Sequence, residues 1–254
     1  MATQRGRDSR ARRLGLPGPV NLVAMDHGLS LGWTPTQDSP LEIIGACQRR
    51  GVQGAVGHAG LVARIPPTDG FEALMQLHGS TSADQTKVRV ALPSLAAAAD
   101  CVRVAVEFQS CGPSAAMSGT AELIQLAHDL GLVVLVMANY TGEAYTRATI
   151  AVVGASQLNA DLIKLRLPSS EPSSNEHALL ARVISDSCPV LVAGGDASTD
   201  LRRTLSMAKG LGMSGSCIGR HYFDAASRSA ALEAVMGTFA ASSSGAPGKS
   251  GSEA

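Results

Sequence analysis

Eight short apolar runs, each separated from the next by a polar or helix-forming stretch, constrain this chain more than any other feature. They are Asn21–Asp26, Gly54–His58, Leu74–His78, Cys101–Glu107, Val133–Met137, Leu162–Arg166, Val190–Ala193 and Ser216–Gly219. Each has the length of a strand, and most are rich in Val, Ile and Leu on both faces, as strands covered on both sides are. Helical patterns fall between them at Leu41–Arg50, Leu95–Ala99, Gly119–Leu130, Ala144–Leu158, Glu176–Ile184, Asp200–Lys209 and Ala225–Ala240. Strands alternating with helices build parallel β/α units, and eight such units close on themselves. The expectation is an α/β fold, a single (β/α)8 TIM barrel, and 254 residues suit it. Lys87–Leu92 is a further strand-like run, which leaves the assignment between residues 65 and 100 open. A doubly wound open sheet would need a Gly-rich dinucleotide loop after its first strand, and Ala24-Met25-Asp26-His27-Gly28 is not one.

Composition removes several classes of function. Aromatic residues make up only 3% of the chain against 45% hydrophobic residues overall, so the core must be aliphatic. Twenty-one basic residues balance 21 acidic ones, which leaves no electrostatic footprint for nucleic acid or a membrane surface. No apolar run approaches the roughly 18 residues of a membrane helix. The five cysteines, Cys47, Cys101, Cys111, Cys188 and Cys217, include no C-x-x-C, and the six histidines include no H-x-x-x-H, so no metal set is expected. The Arg-rich start is followed by no apolar stretch and is not a signal peptide. The chain reads as cytoplasmic. Residues 1–18 are expected as an N-terminal arm, 19–241 as the barrel, and the Ser/Gly-rich residues 242–254 as a disordered tail.

A barrel of this kind carries its chemistry at the C-terminal ends of its strands. Asp26-His27, His58, Glu107, Asn139-Tyr140, Lys164, Gly194-Gly195 and Gly219-Arg220 all stand there, and Gly79-Ser80-Thr81-Ser82 follows the third strand. Lys164 is the sharpest of them. The chain has four lysines, Lys87, Lys164, Lys209 and Lys249, and only Lys164 lies inside an apolar strand. Burial favours a neutral amine, which is the form that attacks a ketone; the alternative is a packed stem with its head at an edge. Glycines at the ends of the seventh and eighth strands let backbone N–H groups approach an anion, and Arg220 adds charge and a planar fork. Asp26 is a proton shuttle or a turn cap, and Tyr140 a phenolic acid or a packing residue.

These segments resemble one family, the archaeal-type class I fructose-bisphosphate aldolases together with the 2-amino-3,7-dideoxy-D-threo-hept-6-ulosonate synthases. The resemblance rests on Ala24-Met25-Asp26-His27-Gly28, His58-Ala59-Gly60, Gly79-Ser80-Thr81-Ser82, Ala160-Asp161-Leu162-Ile163-Lys164, Pro189–Gly195 and Gly215–Arg220, in that order. It implies a Schiff-base lysine at Lys164, a proton-transfer acid at Asp26 and a phenolic acid at Tyr140. It also implies a phosphate cradle at Gly194, Gly195, Gly219 and Arg220. By the same resemblance the enzyme is a lyase without a cofactor that joins a phosphorylated ketone to an aldehyde, and a homo-oligomer.

The lining departs from the family. Where the family has Tyr-Pro-Arg-Gly, this chain has Asn139-Tyr140-Thr141-Gly142, and an ungapped match puts Asn139 in the tyrosine's place. The fourth strand carries Arg103, Ala105 and Glu107, and Arg166 follows Lys164 by two. An altered lining suggests an altered acceptor, such as aspartate semialdehyde. Arg166 or Arg103 would then hold its carboxylate and Glu107 its ammonium, with His27 as a further contact. Fructose-bisphosphate cleavage and non-catalytic phosphosugar binding are the alternatives.

Overall fold

The computed structural model describes residues 19–28, 38–79, 88–110 and 114–239. The expected N-terminal arm, the segment Ser80–Ser82, Cys111 and the tail lie outside them.

In chain order the strands are β1 (Val20–Ala24), β2 (Gly54–Gly57), β3 (Glu72–Gln76), β4 (His78–Gly79), β5 (Val88–Arg89), β6 (Arg103–Gln109), β7 (Val133–Asn139), β8 (Leu162–Leu165), β9 (Val190–Ala193) and β10 (Gly215–Ile218). Eight of them close into a barrel in the order β1-β10-β9-β8-β7-β6-β3-β2, with every pair parallel. This is the (β/α)8 barrel expected from the alternating runs. The Lys87–Leu92 run contributes no barrel strand. Its Val88–Arg89 pairs antiparallel with His78–Gly79 as a two-stranded ribbon above the end of β3.

The helices are α1 (Pro40–Arg49), α2 (Ala59–Val62), α3 (Pro93–Ala98), α4 (Ser114–Asp129), α5 (Tyr145–Gln157), α6 (Ser174–Ser185), α7 (Leu201–Gly210) and α8 (Ala225–Thr238). The short α2 was not evident in the sequence. Two helix starts are sharply specified: Ser39 with Glu42 and Ser173 with Glu176 each form a reciprocal capping box. Among the described residues, no helix is long and apolar enough to cross a membrane.

Strand alternation divides the apolar side chains into two cores. Leu22, Ala24, Val56, Leu74, Ala105, Leu135, Met137, Leu162, Leu191 and Cys217 fill the inside of the barrel. The intervening residues, such as Val104, Val106, Val136, Ala138 and Ile163, pack outward beneath the helices. The inner set is small and aliphatic, as the scarcity of aromatics requires. It plugs the lower barrel and leaves the polar residues of the same face at either end.

Candidate active site

Counting by twos from the inner core locates the mouth. Asp26 follows Ala24 on the inward face, Gln76 follows Leu74, Glu107 follows Ala105, Asn139 follows Met137, Lys164 follows Leu162 and Gly219 follows Cys217. The barrel therefore gathers Asp26, Gln76, Glu107, Asn139 and Lys164 at one end. Asp26 opens a single 3-10 turn, Asp26–Gly28, and the His58 ring donates from Nε2 to its carbonyl oxygen at 3.2 Å. His27 Nδ1 lies 3.3 Å from Asp26 Oδ1, and its ring meets Phe223 edge-on with centroids 5.6 Å apart.

Glu107 is held from several sides. Gln76 Nε2 donates to Glu107 Oε1 at 3.3 Å, and Asn139 Nδ2 donates to Glu107 Oε2. The Glu107 backbone N–H donates to His78 Nδ1 at 3.0 Å, while Thr120 Oγ1 donates to the Glu107 carbonyl at 2.9 Å.

The electrostatics correct one expectation. Burial alone lowers the pKa of Lys164, as anticipated from its strand, but Cys217, Asp26 and Glu107 raise it and Arg220 lowers it, and the net direction is up. Burial pushes the Cys217 thiol itself up, and Lys164 opposes that shift. Cys217 first, and then the Asp26 and Glu107 carboxylates, offset the burial of Lys164. Asp26 shows the converse. Burial pushes its carboxyl up, but Lys164, then His27, backbone hydrogen bonding and His58 outweigh burial and leave it below the usual range. Lys164 and Asp26 therefore each favour the charged form of the other. His27 is kept neutral, first by burial and then by the neighbouring cations Lys164 and Arg220, against the pull of Asp26.

The glycines expected as a phosphate cradle stand at the ends of β9 and β10. Gly195 has φ +73°, and a Cβ there would also meet Thr199 Oγ1 at 2.7 Å. A Cβ on Gly219 would lie 2.6 Å from the Ala24 carbonyl oxygen and 2.7 Å from His27 Cε1. Only glycine lets this loop pass so close to the end of β1. Arg220 follows at once and pairs with Asp196 in the neighbouring loop. Burial lowers its pKa, partly offset by Asp26.

This arrangement of a half-buried lysine, carboxylates and a glycine-lined loop pair agrees with the comparisons with known proteins. The family model for DeoC/LacD family aldolases matches residues 46–225. The chain belongs to the DeoC/LacD family of aldolases. It is accordingly an aldolase, an enzyme of the carbon–carbon lyase type. A curated relative, the 2-amino-3,7-dideoxy-D-threo-hept-6-ulosonate synthase of Halobacterium salinarum, is 27% identical over 248 residues, covering 92% of this chain and 91% of its own. In fold, the chain is similar to an archaeal fructose-1,6-bisphosphate aldolase with its catalytic lysine bound to a carbinolamine intermediate (TM-score 0.79, 16% identity, 92% and 99% coverage). It is also similar to the fructose-bisphosphate aldolase of Slackia heliotrinireducens (TM-score 0.72, 18% identity, 93% and 85% coverage).

Three of the aldolase's expected site residues are not brought to the mouth. Tyr140 lies on the outward face with Ala138 and Val136, since Met137 and Asn139 take the inward positions. Its hydroxyl donates to the Arg166 carbonyl at 2.7 Å, and burial pushes the phenol further up from its ordinary value. Arg166 lies beyond the end of β8. Its guanidinium pairs with Glu143 at 2.6 Å, donates to the Gly142 carbonyl at 3.0 Å and stacks 5.1 Å from the Tyr140 ring centroid. It is not among the charges that act on Lys164. Arg103 faces inward but at the first residue of β6, so it belongs to the floor of the barrel. There its Nε lies 2.6 Å from Glu72 Oε2. Conversely, Gln76, Asn139, His58, His78 and Cys217 were given no catalytic or binding role from the sequence, although His58 and Asn139 had been placed at the strand ends. The period of two, counted from each strand end, was the signal that would have found the first two.

Proposed function

We propose that the chain is a class I aldolase or aldol synthase that joins a phosphorylated ketone, such as dihydroxyacetone phosphate, to an aldehyde through a Schiff base on Lys164. The observation that carries this reading is the inward-facing, half-buried Lys164 at the barrel mouth, where Cys217, Asp26 and Glu107 raise its pKa against burial and Arg220. Once its ammonium gives up a proton, the nitrogen attacks the ketone, and the oxygen leaves as water. The resulting iminium withdraws electrons, and Asp26 takes the proton from the adjacent carbon to leave an enamine. The enamine attacks the aldehyde, and the new alkoxide receives that proton. The N–H groups of Gly194, Gly195 and Gly219, with Arg220, bind the phosphate at the site barrels commonly use for it. The phosphate takes over Arg220 from Asp196.

Acceptor choice falls to a cavity of about 280 Å³ whose lining includes His78, Arg89, Glu107, Gln109 and Asn139. Arg89 is the cation there, in place of Arg103 and Arg166. Its guanidinium suits an anionic aldehyde such as aspartate semialdehyde. The test is incubation of the protein with dihydroxyacetone phosphate and a panel of charged and neutral aldehydes, with products read by mass. A condensation product formed preferentially from an anionic aldehyde is expected. No product from any aldehyde, and no cleavage of ketose phosphates, would overturn the reading.

A further inference from the structure

We propose that His221 is a positioning residue for the donor's phosphate: its imidazole fastens the loop after β9 to the turn that carries Arg220, and so holds the two halves of the cradle in one geometry. The inference rests on the reading of Gly194, Gly195, Gly219 and Arg220 as a phosphate cradle, and adds the side chain that keeps it formed.

The cradle is drawn from two strands whose pairing stops short of it. The parallel ladder between β9 and β10 ends at Ala193 and Cys217, so Gly194, Gly195, Gly219 and Arg220 all lie beyond it. Two side-chain links span the gap there. Arg220 pairs with Asp196. His221 Nε2 lies 3.1 Å from the Thr199 carbonyl oxygen, and because a carbonyl only accepts, a proton sits on Nε2. The first link is a partly exposed ion pair, given up when a phosphate takes Arg220. The second is buried, with His221 only 8% exposed, and it ends on a backbone oxygen that the phosphate does not use. It is the link that survives binding.

The imidazole touches both ends of the loop. A Cβ on Gly194 would lie 3.1 Å from His221 Nδ1, so the ring stands against the first cradle glycine. Thr199 closes the other end, where its N–H donates to the Asp196 carbonyl at 2.9 Å. Asp200 then caps α7 by accepting from the Arg203 N–H at 3.1 Å. Between these ends Gly195 sits at φ +73°, a region that glycine enters as readily as any other. Its two glycines leave the loop several conformations, and the His221 link selects one.

At its own end the link is firmly anchored. Tyr222 N–H donates to the Gly219 carbonyl at 2.8 Å and Phe223 N–H to the Arg220 carbonyl at 3.2 Å, which closes the 3-10 turn Arg220–Tyr222. From α8, Ser227 Oγ donates to the His221 carbonyl at 3.4 Å and Arg228 Nε to the Tyr222 carbonyl at 2.6 Å. His221 passes this rigidity to the β9 side. A cradle formed before its ligand arrives loses less binding free energy to ordering the loop. Removing the link should therefore weaken phosphate binding, whereas bond-making at Lys164, on β8, feels the change only through the phosphate.

The experiment compares wild type, His221→Phe, His221→Met and His221→Gln as full chains. Phe keeps a planar ring and Met adapts to the packing, but neither side chain has an N–H; Gln offers an amide N–H at a similar reach to Nε2. Calorimetry measures the binding of inorganic phosphate and of dihydroxyacetone phosphate. Borohydride trapping on Lys164 at low donor concentration gives the preference for dihydroxyacetone phosphate over dihydroxyacetone. His221→Phe should bind both phosphates about tenfold more weakly, the scale of one hydrogen bond, and its preference for the phosphorylated ketone should fall by the same factor. His221→Met should do likewise, which covers a Phe variant that folds poorly, and His221→Gln should recover most of the loss. Wild-type affinity for both phosphates in His221→Phe or His221→Met, an equal loss for the phosphorylated and unphosphorylated ketones, or a Gln variant no better than these two would overturn the assignment. A wild-type protein that binds neither phosphate would instead remove the cradle reading beneath it.

Discussion

Arg103 and Glu72 close the floor of the barrel, and exchanging them separates a structural charge from a substrate-binding one. Arg103 is only 3% exposed, with its Nε 2.6 Å from Glu72 Oε2. Burial lowers its pKa to about 10 even though Glu72 opposes the shift. Burial therefore disfavours the charged guanidinium in the floor despite its carboxylate partner. Burial likewise raises Glu72, with Arg103 partly offsetting it. Each partner is worse off charged here than in water, so the pair adds little net stability, while breaking it strands a charge. The double variant Arg103→Met/Glu72→Gln should therefore match wild type to within about 1 kcal/mol, or exceed it. Arg103→Met alone leaves Glu72 unpaired. Because the Glu72 side chain is 29% exposed, the loss is set at about 2–3 kcal/mol, below the range for a fully buried charge. For a chain of this length that lowers Tm by about 5–10 °C. The pH dependence has a definite sign. A carboxyl whose folded pKa is raised loses stability as pH rises through that value, and removing Arg103 raises it further. The deficit of the single variant should shrink on acidification from pH 8 towards 5, while the double variant shows no such recovery. Thermal melts of the three proteins across that range, with kcat/KM for anionic and neutral aldehydes, make the test. An unchanged Tm in Arg103→Met together with a selective loss for anionic aldehydes would refute the reasoning and return Arg103 to the site.

Other substitutions report on the mouth. Tyr140→Phe removes one hydrogen bond to the Arg166 carbonyl and should cost about 1 kcal/mol of stability with kcat within roughly threefold of wild type; a hundredfold loss in steady-state turnover would restore the phenol as an acid. Arg220→Ala should weaken binding of a phosphorylated donor by about 1.5–3 kcal/mol, the scale of a charged hydrogen bond, while leaving an unphosphorylated ketone unaffected. Equal affinity of wild type and variant for dihydroxyacetone phosphate by calorimetry would take Arg220 out of the cradle. Gly219→Ala places a methyl 2.6 Å from the Ala24 carbonyl and against His27, so a melt should show a loss of about 1–3 kcal/mol, with turnover falling as the Asp26–Gly28 turn shifts. A variant that melts and turns over like wild type would mean that the β1 end yields freely.

The fold was legible because its signal is local. Eight short apolar runs with helical stretches between them admit few other solutions, and every run became a barrel strand. Lys87–Leu92 misled because its apolar residues resemble a buried strand, yet Val88 and Val90 are 52% and 46% exposed on the ribbon. The site was half legible for the same reason. Asp26, Glu107, Lys164 and Gly219 follow from strand ends and the period of two, and that period also assigns Asn139 inward and Tyr140 outward. Arg103 shares Glu107's face but lies four residues earlier, about 13 Å along the strand and at the wrong end of the barrel. The charge state of Lys164 was not legible. Its strand shows only the burial that favours a neutral amine, whereas Cys217 and the carboxylates that oppose this come from strands far away in sequence.

The most direct test of the whole account is borohydride reduction of the protein in the presence of dihydroxyacetone phosphate, followed by peptide mapping. The account predicts a reduced adduct on the peptide containing Lys164, irreversible loss of activity, and neither in Lys164→Ala. An adduct on Lys87 or Lys209 instead, or full activity in Lys164→Ala with no adduct from any phosphorylated ketone, would contradict it.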